Sequence, residues 1–67
     1  MKDWKITLAA ARVNAGLTQS EAADKLGVSV TTVFNWENGK TSPKMSIVPT
    51  IAALYKIPVH DLLFVQK

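Results

Sequence analysis

The stretch Leu17-Thr-Gln-Ser-Glu-Ala-Ala-Asp-Lys-Leu-Gly-Val-Ser-Val-Thr-Thr-Val-Phe-Asn-Trp-Glu-Asn-Gly-Lys40 decides the fold, because it reads as two short capped helices joined by a glycine turn. Thr18 precedes an apolar-periodic run and Glu21 lies three residues on, so hydroxyl and carboxylate can satisfy free backbone N–H groups reciprocally and start a helix at Thr18. Gly27 follows Leu26 and can adopt the left-handed conformation that closes a helix, where a residue with a β-carbon loses roughly 1 kcal/mol. Ser29 then offers a cap for a new helix. Gly39, after Glu37 and Asn38, supplies a second stop of the same kind.

So short a joint forces a sharp angle between the two helices. The small Ala23 lets their axes approach, while Val33 and Trp36, three apart, point inward together. Thr31, Thr32 and Asn35 remain on the other face. Two crossed helices, the second presenting polar groups outward, form a helix-turn-helix spanning about residues 18–38, the arrangement that reads DNA.

Around this unit the ordered set Arg12, Gly16-Leu17-Thr18-Gln19, Ala23, Leu26-Gly27-Val28-Ser29, Val33, Trp36-Glu37-Asn38-Gly39-Lys40 and Asp61-Leu62-Leu63 resembles the Cro/repressor-type (Xre-like) helix-turn-helix family of phage transcription regulators. No single residue carries the likeness; their combined spacing does, over nearly the whole chain. The resemblance implies an all-α fold, a compact five-helix lambda-repressor-like DNA-binding domain. It also implies a salt bridge between Arg12 and Glu37 that ties the first helix to the end of the third. The family commonly has glycine after helix 4, where this chain has Lys56, so that helix end is expected to differ.

Composition agrees with one small helical domain covering residues 1–67. Hydrophobic residues make up 48% of the chain, enough for a core of packed helices, and no apolar run is long enough for a membrane span. There are no cysteines and no secretory pattern, so a cytoplasmic protein is expected. A formal net charge of +3 favours a polyanionic partner without specifying it.

The remaining helices follow from periodicity and caps. Helix 1 is expected either over Leu8 to Ala15, with Thr7 as cap, or from a turn earlier at Trp4, in both cases with Gly16 as stop and a buried stripe of Trp4, Leu8, Ala11 and Ala15. Helix 2 runs from Gln19 to Leu26 and helix 3 from Val30 to Asn38. Helix 4 spans Ile47 to Tyr55, with Ser46 as cap and Pro49 in the first turn, where its missing N–H is unneeded. Ile51, Leu54 and Tyr55 supply its buried face. Pro58 opens a final short helix through Leu63, letting Leu62, Leu63 and Phe64 close the core. The run Leu62-Leu63-Phe64-Val65 is either this last piece of core or a small dimer contact.

The functional expectations centre on helix 3, since a major groove admits a helix whose first residues read base edges. Val30, Thr31, Thr32 and Asn35 are the base-reading candidates. Asn35 can pair with an adenine edge, and the methyl groups of Val30 and of Thr31 or Thr32 can pack on thymine. Thr18 and Gln19, at the positive end of helix 2, together with Lys40 and Lys44 on the link after helix 3, are candidates for the phosphate backbone. Asn38 either binds a phosphate or caps the helix end beside Gly39. Phe34, large for an exposed position, either touches the DNA backbone or a thymine methyl group, packs on a neighbouring subunit, or folds back over Lys40.

No catalytic or metal-binding spacing is present: His60 is the only histidine, and no cofactor is expected. The expected partner is a double-stranded DNA operator bound by two copies of the chain, with no membrane or small-molecule substrate. The expected role is transcriptional regulation, most simply repression by a Cro-like protein of phage or mobile-element origin. A different use of the same fold, as an antitoxin or an adaptor that binds protein, is the alternative.

Overall fold

Hydroxyl caps set where three of the four helices begin. The computed structural model describes residues 6–63, in the order β1 (Ile6–Thr7), α1 (Leu8–Asn14), α2 (Gln19–Leu26), α3 (Val30–Glu37), α4 (Val48–Tyr55), a 3-10 turn (Val59–Asp61) and β2 (Leu62–Leu63). Thr7 Oγ1 accepts from the Ala10 N–H at 3.1 Å, and Ser29 Oγ accepts from the Thr32 N–H at 3.1 Å. At α2 the reciprocal box is complete: the Glu21 N–H donates to Thr18 Oγ1 at 3.0 Å and the Thr18 N–H donates to Glu21 Oε1 at 2.8 Å.

All four helices end on the same device, a left-handed residue followed by an N–H that reaches back to a carbonyl of the last turn. The closing bonds are Leu17 to Arg12, Val28 to Ala23, Lys40 to Asn35 and Ile57 to Ala52, at 3.0–3.2 Å. Three of the left-handed positions are glycine, and the fourth is Lys56 at φ 59. The expectation that Lys56 would give helix 4 a different end is therefore corrected. Lysine occupies the left-handed position itself, at a cost of about 1 kcal/mol relative to glycine.

The start of α4 also departs from expectation. Ser46 makes no cap, because residues 45–47 already form a turn in which the Ile47 N–H donates to the Lys44 carbonyl at 3.0 Å. Ile47 takes the capping position in helical geometry without a side-chain bond, and Pro49 falls inside the first turn, as its missing donor allows.

α2 and α3 make the most extensive helix pairing, around the buried Ala22, Ala23, Val33 and Trp36. Leu8 and Ala11 of α1, Ile51, Ala52 and Tyr55 of α4, and Leu62 complete the same cluster, with Ala15 and Leu54 packed at its edge. Trp4, Phe64 and Val65, assigned above to the core or its closure, lie outside the described residues.

Four α-helices are present among the described residues, not five. Pro58 is extended (φ −60, ψ 142), only one 3-10 turn follows, and Leu62 is already extended. Leu62–Leu63 then pairs with Ile6–Thr7 as a parallel two-strand ladder, Ile6 opposite Leu62 and Thr7 opposite Leu63.

Candidate nucleic-acid interface

Val33 and Trp36, at 1% and 8% exposure, fix the rotation of α3 about its axis. At 100° per residue the opposite side then carries Thr31, Asn35 and Asn38 in one row. Thr31 and Asn38 are exposed and Asn35 is half-buried. Val30 and Phe34 lie on one flank of that row, both exposed. Thr32 lies on the other flank, half-buried, with its hydroxyl 2.9 Å from Ser29 Oγ. An eight-residue helix is about 12 Å long, comparable with the width of a major groove.

Two lysines bracket this face from opposite sides. Lys40 holds its ammonium 5.8 Å from the centroid of the Phe34 ring. Lys44 lines a shallow groove of about 390 Å³, shared with Val28, Thr32, Trp36 and Ile47, on the other flank. Buried Pro43 lies just before it in the link. Asn38 Nδ2 donates to the Phe34 carbonyl at 2.8 Å, so its amide closes the helix end beside Gly39.

Behind the face sits a network that sets the relation of three elements. Arg12 Nε donates to Glu37 Oε2 at 2.7 Å and Nη2 donates to Oε1 at 3.2 Å, a fork-to-fork pair with side chains 13% and 6% exposed. Arg12 Nη1 also donates to the Leu17 carbonyl at 2.9 Å, which joins the loop between α1 and α2 to the pair. Gln19 Nε2 donates to Glu37 Oε1 at 2.9 Å. The hydrogen bond to Glu37 raises the Arg12 pKa above its ordinary value, opposed in part by burial. Tyr55 is also raised, chiefly by burial and then by the Glu37 charge.

Gln19 was singled out above for phosphate, and its side-chain amide here is engaged with Glu37. Thr18 uses its hydroxyl in the cap. What that end of α2 retains for an anion are the N–H groups of Gln19 and Ser20, which have no acceptor among the described residues. The bond from Gln19 to Glu37, spanning 18 positions, and the groove beside Lys44 left no pattern in the sequence by which to find them.

The arrangement offers a row of hydroxyl and amide groups, an apolar flank and two flanking cations, which is the chemistry of a surface that meets a polyanion with readable edges. Among the described residues no three His, Cys, Asp or Glu side chains gather into a potential metal site. No helix among them is long and apolar enough to cross a membrane.

Comparison with known proteins agrees with this geometry. Residues 8–62 match the Helix-turn-helix family. The chain is 37% identical over 51 residues to the cryptic phage CTXphi transcriptional repressor RstR of Vibrio cholerae, covering 76% of this chain and 46% of that protein. It is 35% identical over 52 residues to the HTH-type transcriptional activator BcrR of Enterococcus faecalis, covering 78% and 26% respectively. An uncharacterized HTH-type transcriptional regulator of Archaeoglobus fulgidus is 35% identical over 51 residues, 76% of this chain and 73% of that one. The chain thus spans less than half the length of the first two relatives. No solved structure matches it. The match over residues 8–62, with the capped helix pair and the ordered residues around it, places the chain in the Cro/repressor-type helix-turn-helix family.

Proposed function

We propose that the chain binds double-stranded DNA sequence-specifically and regulates transcription, acting as a repressor that occupies an operator and obstructs polymerase. The carrying observation is the outward row of Thr31, Asn35 and Asn38 on α3, bracketed by Lys40 and Lys44, in a chain of the helix-turn-helix family. Similarity to a phage repressor supports the regulatory reading and a phage-related origin, and similarity to a transcriptional activator supports the regulatory reading as well.

In this reading Val30, Thr31, Thr32 and Asn35 face base edges. Lys40, Lys44 and the N–H groups of Gln19 and Ser20 just past the Thr18 cap hold the backbone, Asn38 closes the end of α3, and Arg12 with Glu37 sets the angle of α3. Two copies bind half-sites about one helical turn apart. Such a protein works in the cytoplasm, on the nucleoid.

Selection of bound duplexes from a random pool, followed by affinity measurement at two salt concentrations, tests the proposal. A regulator enriches one near-palindromic sequence and prefers it to random duplex by about three orders of magnitude or more. Asn35→Ala relaxes one base position per half-site, while Lys40→Ala lowers the salt slope by about one per protomer and leaves the sequence preference in place. Enrichment of no sequence at either salt concentration would overturn the reading.

A further inference from the structure

Five large hydrophobic side chains stand exposed among the described residues, and two of them, Val30 and Phe34, are both on α3 at 44% exposure each. They are four residues apart and therefore stacked along one flank of the helix. Isolated exposed apolar residues are ordinary on a protein surface; this pair is singled out because it is adjacent and lies on the flank of the face that carries Thr31 and Asn35.

The rest of α3 points the same way. Val30, Thr31, Thr32 and Val33 are four β-branched residues in succession, a poor choice for a helix, since each loses side-chain freedom against the preceding turn. The helix is held instead by the Ser29 cap, the closure at Gly39 and the burial of Val33 and Trp36. Of the four, Val33 is buried and Thr32 is half-buried with its hydroxyl 2.9 Å from Ser29 Oγ, whereas Val30 and Thr31 are exposed and packing does not account for them.

We propose that Val30 and Phe34 form an apolar strip that reads the C5-methyl group of thymine, with Lys40 over the Phe34 ring supplying the cation for the adjoining phosphate. The inference rests on the DNA-binding reading above and adds Phe34 to it as a specificity-determining residue. Thymine alone among the four bases presents a methyl group in the major groove, and a phenyl ring is one of the side chains that packs against it. A second copy of the chain is a poorer occupant of this strip, because it would bring a second Lys40 and a net charge of +3 against a surface already topped by an ammonium.

The test uses the duplex that the wild-type chain selects. Each thymine is replaced in turn by deoxyuridine, which removes the methyl group and nothing else, and affinity is measured for the wild type and for Phe34→Ala and Val30→Ala. The strip predicts at least one thymine per half-site whose replacement weakens wild-type binding about three- to fivefold. Phe34→Ala should bind the thymine duplex correspondingly more weakly and show no further loss on deoxyuridine at that position. Full discrimination retained by Phe34→Ala at every position overturns the assignment while leaving base reading intact, whereas a wild-type chain that selects no duplex removes base reading itself. Thermal melting confirms that the variants fold. Sedimentation without DNA completes the set: a dimer present in the wild type and lost in Phe34→Ala assigns the ring to a subunit contact and overturns the proposal.

Discussion

Removing Glu37 should damage the fold before it touches specificity. In Glu37→Ala the Arg12 guanidinium, 13% exposed, loses both carboxylate bonds and keeps only the one to the Leu17 carbonyl; Gln19 loses its acceptor too. Stranding one member of a fully buried pair costs about 3–5 kcal/mol, and the residual exposure of Arg12 together with its remaining carbonyl reduces that to about 2–3 kcal/mol. For a domain of this size each kcal/mol moves the midpoint by about 4–8 °C, so a fall in Tm of about 8–25 °C is expected. Total stability of a 67-residue domain is about 3–10 kcal/mol, which makes the loss a large fraction of the whole. Circular dichroism melts and urea titrations of Glu37→Ala, Arg12→Ala and the double variant measure both the loss and the coupling between the two sites. Because the double variant no longer buries an unpaired charge, it should be less damaged than the sum of the singles by at least about 1 kcal/mol. A Tm change within about 2 °C for Glu37→Ala, with additive singles, would show a solvent-screened contact of little worth and refute the reasoning.

The helix ends provide a matched pair of tests. Lys56→Gly relieves about 1 kcal/mol of left-handed strain but adds about 0.4–1 kcal/mol of freedom to the unfolded chain, so stability should rise by no more than about 0.6 kcal/mol, read as a Tm increase of at most about 5 °C; a fall in Tm would contradict the strain argument. Gly27→Ala should lower it by about 1 kcal/mol through backbone strain alone, since at φ 73 a β-carbon would meet no other atom within 4 Å; a much larger loss in a melt would mean that α2 and α3 pack more tightly there. Tyr55, the one tyrosine, has its pKa raised above 10.0 chiefly by burial, so the folded state holds the phenol proton more tightly than the unfolded chain. Its contribution is complete below the unfolded value near 10 and is lost as pH rises through the higher folded value. Denaturant titrations should therefore show an alkaline decline that is shallower in Tyr55→Phe, with phenolate absorbance appearing later in the folded than in the unfolded protein; identical titration in the two states would contradict the burial argument.

The three hydroxyl caps and the glycine stops were legible because their hydrogen bonds run between residues at most six positions apart, so the sequence alone carries both partners. The inward pair Val33 and Trp36 was legible for a related reason: helical periodicity assigns the buried face once the helix is given. Arg12 with Glu37 came from resemblance, since nothing in either residue's surroundings points across the 25 positions between them.

Local residue chemistry thus determined three helix starts, the left-handed stops at glycine, and which side of α3 is turned outward. Tertiary structure decided the rest. It paired Ile6–Thr7 with Leu62–Leu63 as a parallel ladder, because Ile6 and Leu62 are too far apart in sequence and their strands too short to leave a periodic signal. It put Lys56 in a left-handed position that its own preference opposes, since the closing bond from Ile57 and the burial of Tyr55 outweigh about 1 kcal/mol of strain. And it drew Gln19 onto Glu37 and Lys40 over Phe34, for a side chain's partner is chosen by what the folded chain brings within reach.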